Sequence, residues 1–172
     1  MSGPSASSGR SGPEPIASRP HMPDYGLAES AGQLAWSWAV ERLEKSHNYW
    51  VCTTRPDGRP HSAPVWGIWL DGAFLFSTAT GSRKARNLAR NAWCAITTER
   101  ADEAVIVEGT AEPLRGTSAL AEFKAVYKEK YNWDMGDVAE GIYTVRPRVA
   151  FGFIEHADQF TKTATRWTFD EE

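Results

Sequence analysis

The sequence predicts a mainly β fold with peripheral helices, a closed or split barrel of six to seven antiparallel strands with about three helices. Three observations carry that prediction. Short runs rich in aromatic and β-branched residues recur along the chain, and turn signals such as Pro56-Asp57-Gly58-Arg59 and Asp71-Gly72 join them as hairpins. Helical spacing is confined to three stretches, and these do not alternate with strands as a parallel sheet requires. The chain of 172 residues suffices for one core without metal or disulfide staples.

Taken in order, residues 1–23 hold six Ser, five Pro and three Gly, and they are expected to form a disordered leader because little apolar surface offsets the entropy of ordering. Residues 24–172 form the barrel domain. Trp36, Val40, Leu43 and His47 at helical spacing predict a helix over 36–46, with Ser37 as its N-cap. Strands follow at 48–55, 61–70 and 73–78. A short helix over 82–90 is capped by Ser82 and turns Ala85, Leu88 and Ala89 inward, with Asn91 as its stop. Residues 93–100 and 104–114 form a second hairpin. Leu120, Phe123, Tyr127 and Tyr131 then mark one stripe of a helix over 117–133. Strands at 142–146, 149–156 and 160–169 close the chain.

Composition narrows the function. Nineteen basic against 22 acidic residues give a net charge of −3, which argues against a nucleic-acid or anionic-membrane binder. No apolar run is long enough to span a bilayer and the first residues lack a signal peptide, so the cytoplasm is the expected compartment. Cys52 and Cys94 sit in strand-like runs without metal spacing, and they are expected reduced and buried. His47, His61 and His156 have no metal-site spacing, so no metal is expected. No nucleophile signature is present and the catalytic residues are unassigned.

The most informative stretch is FSTATGSRKARNLARN, 76–91. A strand ends at Ser77-Thr78, a small loop turns at Gly81, and a helix starts at Ser82 with Arg83, Lys84 and Arg86 in its first turns. Basic residues are unfavourable at a helix N-terminus unless an anion sits there, so the pattern points to phosphate. The second feature is HSAPVWGIW, 61–69. Pro60 and Pro64 each remove a ladder donor and Gly67 removes a side chain, so bared backbone beside Trp66 and Trp69 offers room for a planar ring, while core or dimer-interface filling is the favoured role for either tryptophan taken singly. Eight tryptophans are many for one small domain, which favours an oligomer interface. A phosphate-and-ring site without a reactive side chain fits cofactor chemistry. The glycine-bearing stretch 132–141 is expected to wall the pocket.

From Trp50 to Glu112 the runs TTRPDGRPHSAPVWGIW, FSTATGSRKARNLARN and AVIVEGTAE resemble the flavin/deazaflavin oxidoreductases of the pyridoxamine 5'-phosphate oxidase-like superfamily, and the likeness extends over 36–169. The resemblance implies an FMN-binding split β-barrel, a homodimer, and a cofactor cleft between subunits. It makes Ser82, Arg83 and Lys84 the cofactor-phosphate site with Ser77 and Thr78 beside it, and lays Pro64, Val65, Trp66 and Gly67 against the ring. Where true pyridoxamine phosphate oxidases carry an Arg-Leu-His-Asp-Arg-like motif, this chain reads Lys162-Thr163-Ala164-Thr165-Arg166. The substrate-holding His is missing, so vitamin B6 oxidation is not implied, while Arg166 matches a position near the cofactor. The PDGRPH and VWG wording is similar to the F420-dependent branch. The implied activity is hydride transfer from F420 to an unsaturated small-molecule substrate. FMN-dependent chemistry is the alternative, and a non-catalytic F420-, flavin- or haem-binding protein, with His61 or His156 on haem iron, is another.

Overall fold

A computed structural model describes residues 14–27 and 32–170. The strands are β1 (Ile16–Ser18), β2 (Tyr49–Thr54), β3 (Pro60–Val65), β4 (Gly67–Leu70), β5 (Ala73–Ser77), β6 (Trp93–Thr98), β7 (Glu103–Pro113), β8 (Ile142–Ile154) and β9 (Thr165–Thr168). The helices are α1 (Trp36–Lys45), α2 (Arg83–Leu88), α3 (Thr117–Tyr131) and the short α4 (Phe160–Thr163). All strand pairs are antiparallel.

The pairings close a ring. β5 pairs with β8, then β7, β6, β2 and β3 follow, and the chain passes through Trp66 into β4, which pairs back onto β5. The predicted strand 61–70 is therefore two strands with a corner at Trp66. The predicted strands 142–146 and 149–156 are one, with a bulge opposite Glu108/Gly109 where Pro147 supplies no ladder donor. There β8 changes neighbours, pairing with β5 through 142–145 and with β9 through 149–152. The barrel is split at that point. Gly109 is required there, because a Cβ would stand 2.0 Å from the Arg146 carbonyl oxygen.

Alternation along β2, β6, β7 and β8 turns Val51, Ile96, Val107 and Ala150 inward, with Tyr49, Phe74, Phe76 and Trp167 filling the centre. α1 closes one side with Ala39 and Leu43. A second cluster packs Phe123, Tyr127 and Tyr131 of α3 against Ile68, Leu75 and Ile142, on the stripe that the sequence predicts. Among the described residues no helix is long and apolar enough to cross a membrane.

The leader expectation is corrected in part. Residues 1–13 lie outside the described residues, but Ile16–Ser18 pair with β9, and the Arg19 guanidinium donates to the Ala164 carbonyl at 2.9 Å. The free edge of β9 supplies the template that local composition lacks. Residues 160–163 are helical because the Ala164 amide bonds to the Phe160 carbonyl, so the last predicted strand shortens to 165–168. The cap of α1 is Ala35 in extended conformation, and Ser37 lies inside the helix. α2 buries Ala85 and Leu88 as expected and Asn87 with them, while Ala89, expected inward, is exposed.

Candidate functional site

The strand–loop–helix at 76–88 forms as the sequence predicts. The Thr78 amide donates to the Gly141 carbonyl at 2.8 Å, which ends β5 against the close of the 132–141 stretch. The Thr78 hydroxyl donates to Ser82 Oγ at 3.1 Å, and Ser82 Oγ accepts from the Ala85 amide at 3.2 Å as the N-cap of α2. Buried Ala85 and Leu88 then fix the helix on the barrel. Ser77, Thr78, Ser82, Arg83 and Lys84 are thus brought together, with no acid in the first turn. α2 has six residues, so its dipole is small and the side-chain cations dominate the local field.

The structure adds Arg55 and Asn87, which sequence reasoning left without a role, and His61, which it considered only as a haem ligand. The β2–β3 hairpin carries Arg55 at its turn and His61 on β3 to the same place. Burial lowers the proton affinity of His61, and the charges of Arg55, Lys84 and Arg83 lower it further. Lys84 is half-buried and also falls below the usual lysine range through desolvation. The buried Asn87 side chain donates to Thr53 Oγ1 at 2.9 Å, and Thr53 Oγ1 lies 3.5 Å from His61 Nδ1. Asp57, in the same turn, is held by Arg59 at 2.8 Å. Among the described residues Arg55, Arg83 and Lys84 have no acidic partner within ion-pair distance, and Arg55 Nε and Asn87 Oδ1 are buried without hydrogen bonds. Buried polar groups are ordinarily paired, so a donor and an acceptor left open beside four cationic or protonatable side chains fit an anionic ligand that also carries hydroxyls.

At the Trp66 corner the expectation is corrected. Gly67 is required because a Cβ would meet Phe74 Cζ at 2.2 Å and the Leu75 carbonyl oxygen at 2.8 Å, so protein already fills the space. Its backbone is not bare. The Gly67 amide donates to the Tyr131 hydroxyl at 2.9 Å, and the Gly67 carbonyl lies 2.7 Å from that hydroxyl and 3.2 Å from Lys130 Nζ. Trp69 is buried edge-on to Trp36, and Val65 is core. One face of Trp66 stacks on Tyr131 at 4.7 Å and 5°, while the residue remains 38% exposed. Pro64 is exposed on β3 opposite Trp50. A ring can therefore use Trp66 and Pro64, and not the Gly67 main chain. Gly67 pairs with Phe76, one residue before Ser77, so corner and loop share one end of the barrel.

Arg166 is not brought to this loop within one chain. It lies on β9 between Phe151 and Ser18, with its guanidinium donating to Thr168 Oγ1 at 2.9 Å. Ser77 is opposite Ile142 and Arg166 opposite Phe151, about 30 Å apart along the extended contour of β8. Arg166 belongs instead to an outward row, Trp50–Thr97–Ile106–Phe151–Arg166, that crosses five strands. Two surface depressions lie elsewhere, one bordered by Leu70, Leu114 and Arg146, the other by Arg42, Glu99 and Glu103. At the cationic loop Arg83 is exposed, and Ser77, Thr78, Ser82 and Lys84 are half-buried. Among the described residues no group of three or more His, Cys, Asp or Glu is placed to hold a metal. Cys94 is buried with its thiol pushed up to about 12 by desolvation, whereas Cys52 is half-buried beside Ser62, so the expected burial holds for Cys94 alone.

The family model described as pyridoxamine 5'-phosphate oxidase matches residues 38–157. The chain belongs to this family. No curated protein matches the sequence. Among solved structures, an F420 reductase is 24% identical, with 64% of this chain and 93% of that one covered and a TM-score of 0.50. The FAD binding protein from Mycobacterium smegmatis is 18% identical over 79% of this chain and 98% of its own, with a TM-score of 0.52. The heme binding protein from the same organism is 19% identical over 70% of this chain and 55% of its own, with a TM-score of 0.57. At these identities the likeness carries the pyridoxamine oxidase-like fold.

Proposed function

We propose that the protein is a cytoplasmic, homodimeric oxidoreductase that holds F420 at Ser77, Thr78, Ser82, Arg83 and Lys84, joined by Arg55 and His61. The observation that carries this reading is the cation cluster with its unpaired buried guanidinium nitrogen at Arg55. Reduced F420, when bound, supplies a hydride to an unsaturated bond of a small organic substrate. Arg55, Arg83 and Lys84 hold the phosphate, the Thr78 and Ser82 hydroxyls lie beside it, and Trp66 and Pro64 border the ring. The protein contributes position and electrostatics. The likeness to an F420 reductase supports the deazaflavin over FMN, and FMN is the alternative because the same cluster recognises its phosphate.

The homodimer is proposed through the outward sheet face. Trp50 is 44% exposed there, in one row with Ile106 and Phe151, and Ala95 and Val149 lie in the adjacent row. A two-fold across this face is the arrangement that would let each Arg166 serve the other chain's site. The absence of an evident acid or nucleophile at the loop also accommodates a non-catalytic carrier of F420, flavin or haem. Parallel fluorescence titrations with F420 and FMN test the reading. Tight F420 binding that is lost in Arg83→Ala/Lys84→Ala supports it, preference for FMN moves it to flavin chemistry, and unchanged affinity in the double variant overturns the phosphate assignment.

A further inference from the structure

Gly67 is held by the last turn of α3, which contributes nothing to the cation cluster. The Tyr131 hydroxyl accepts from the Gly67 amide and lies 2.7 Å from the Gly67 carbonyl and 2.8 Å from the His47 carbonyl. A phenol has one proton, so Tyr131 serves only one of those two carbonyls at a time. Lys130 supplies the missing donor. Its ammonium lies 3.2 Å from the Gly67 carbonyl and 2.7 Å from the Tyr49 hydroxyl, which itself donates to the Leu43 carbonyl. The Gly67 and His47 carbonyls then each have a donor, and Trp66 is stacked on the ring of Tyr131 that carries the same hydroxyl.

We propose that Lys130 and Tyr131 are positioning residues for the cofactor's ring: their bonds to Gly67 fix the corner at which Trp66 presents its free face. The inference rests on the reading that Trp66 borders the ring. Lys130 is half-buried, with Tyr49 of β2, Glu44 of α1, Glu99 after β6, Tyr131 on its own helix and His47 before β2 as its ionisable surroundings. Desolvation pulls its proton affinity down to about 8, against the weaker opposing pull of Glu99 and Glu44. Glu99 is occupied by the His47 amide at 2.9 Å and by Asn48. As pH rises through 8 the Gly67 carbonyl exchanges a charge-assisted donor for a weaker neutral one.

The test is a set of FMN and F420 titrations from pH 6.5 to 9.5 on the full chain, Lys130→Met, Lys130→Arg, Tyr131→Phe and the Arg83→Ala/Lys84→Ala variant, with the Gly67 amide followed by NMR over the same range. The expected result is about fivefold weaker binding in Lys130→Met and Tyr131→Phe at neutral pH, recovered in Lys130→Arg. The full chain should lose affinity with a midpoint near pH 8, and Lys130→Met should lack that midpoint. Wild-type affinity in Lys130→Met and Tyr131→Phe at every pH, alongside failed binding in the Arg83/Lys84 variant, overturns the positioning role and leaves the phosphate reading intact. Failure of the unaltered chain to bind either cofactor overturns the cofactor reading and with it the ring role. The Gly67 signal then judges the clamp by itself: a midpoint near pH 8 that Lys130→Met removes sustains it, and a static signal overturns it.

Discussion

The cationic loop and the α3 clamp border the same end of the barrel and treat their polar groups in opposite ways. At the loop, Arg55, Arg83 and Lys84 stand together without acids, and buried Arg55 Nε and Asn87 Oδ1 have no partner. At the clamp, the amide and carbonyl of one glycine engage a phenol and an ammonium, and the tyrosines beneath are hydrogen-bonded in turn. Unneutralised, desolvated charge is a cost that a ligand repays, whereas satisfied groups repay themselves in the folded chain. The first arrangement is suited to recognition and the second to holding a shape.

The largest expected effect separates the two. Arg83→Ala/Lys84→Ala removes two charge-assisted contacts worth roughly 1.5–3 kcal/mol each, so cofactor affinity should fall by about 10² to 10⁴-fold. The melting temperature of the cofactor-free protein should hold or rise, because like charges are removed. A double variant that binds normally, or that melts well below the parent, breaks the comparison. Gly67→Ala should behave conversely. A Cβ placed 2.2 Å from Phe74 Cζ and 2.8 Å from a main-chain oxygen forces β4 and β5 apart, costing about 1–3 kcal/mol by overpacking. Chemical denaturation reads it directly, and an unchanged midpoint would show that the corner is slack.

The sequence made the ring of strands legible because its hairpins are local. Asp71 and Gly72 both take positive φ at the β4–β5 turn, as their dipeptide signals. The hydroxyls and cations of 77–84 were legible for the same reason, since one strand end, one loop and one cap lie within eight residues. Arg55, His61 and Asn87 were not, because they meet the loop through the β2–β3 register and the packing of α2, which no short window contains. Gly67 looked like a gap in a strand, but the residues that fill it, Phe74 and Tyr131, lie seven and 64 positions away. β1 was hidden for a related reason: an Ile-Ala-Ser tripeptide has no strand signal until β9 offers an edge.

A smaller effect sharpens the clamp's side of the comparison. Lys130 has a proton affinity lowered from 10.5 to about 8 in the fold, so between those pH values the unfolded chain binds more protons. Stability from this group therefore rises with pH across that window, and the penalty of its buried charge is fully present below pH 8. Against Lys130→Met, the unaltered chain should gain relative stability from pH 8 to 10.5. The gain should be modest because the ammonium is partly exposed and solvent-screened. Burial raises the Tyr131 hydroxyl from 10 to about 12, which removes stability between those pH values, but this loss is common to the unaltered chain and Lys130→Met and cancels in the comparison. Denaturation midpoints at pH 7.5, 9 and 10 check the sign, and a relative loss would mean that the lost bond outweighs the relieved charge.

The smallest effect lies at Arg59, four residues from Arg55 in the same turn. Its guanidinium engages the Asp57 carboxylate through Nη2 at 2.8 Å and Nε at 3.0 Å, and holds that acid below the usual carboxylate range. Both side chains are solvent-exposed, so the pair should add nothing measurable to stability, and Arg59→Ala should melt with the parent. Its consequence for binding is the informative part. With Arg59 gone, Asp57 is free to turn toward Arg55, and the turn that now keeps acid and cluster apart no longer does so. Cofactor affinity should therefore fall slightly in Arg59→Ala and return in Arg59→Ala/Asp57→Asn, a recovery that requires the loop's cations to function by being left without an acid. Equal affinity in parent, single and double variants would place Asp57 outside the reach of the cluster and confine the site to Arg55, Arg83 and Lys84 themselves.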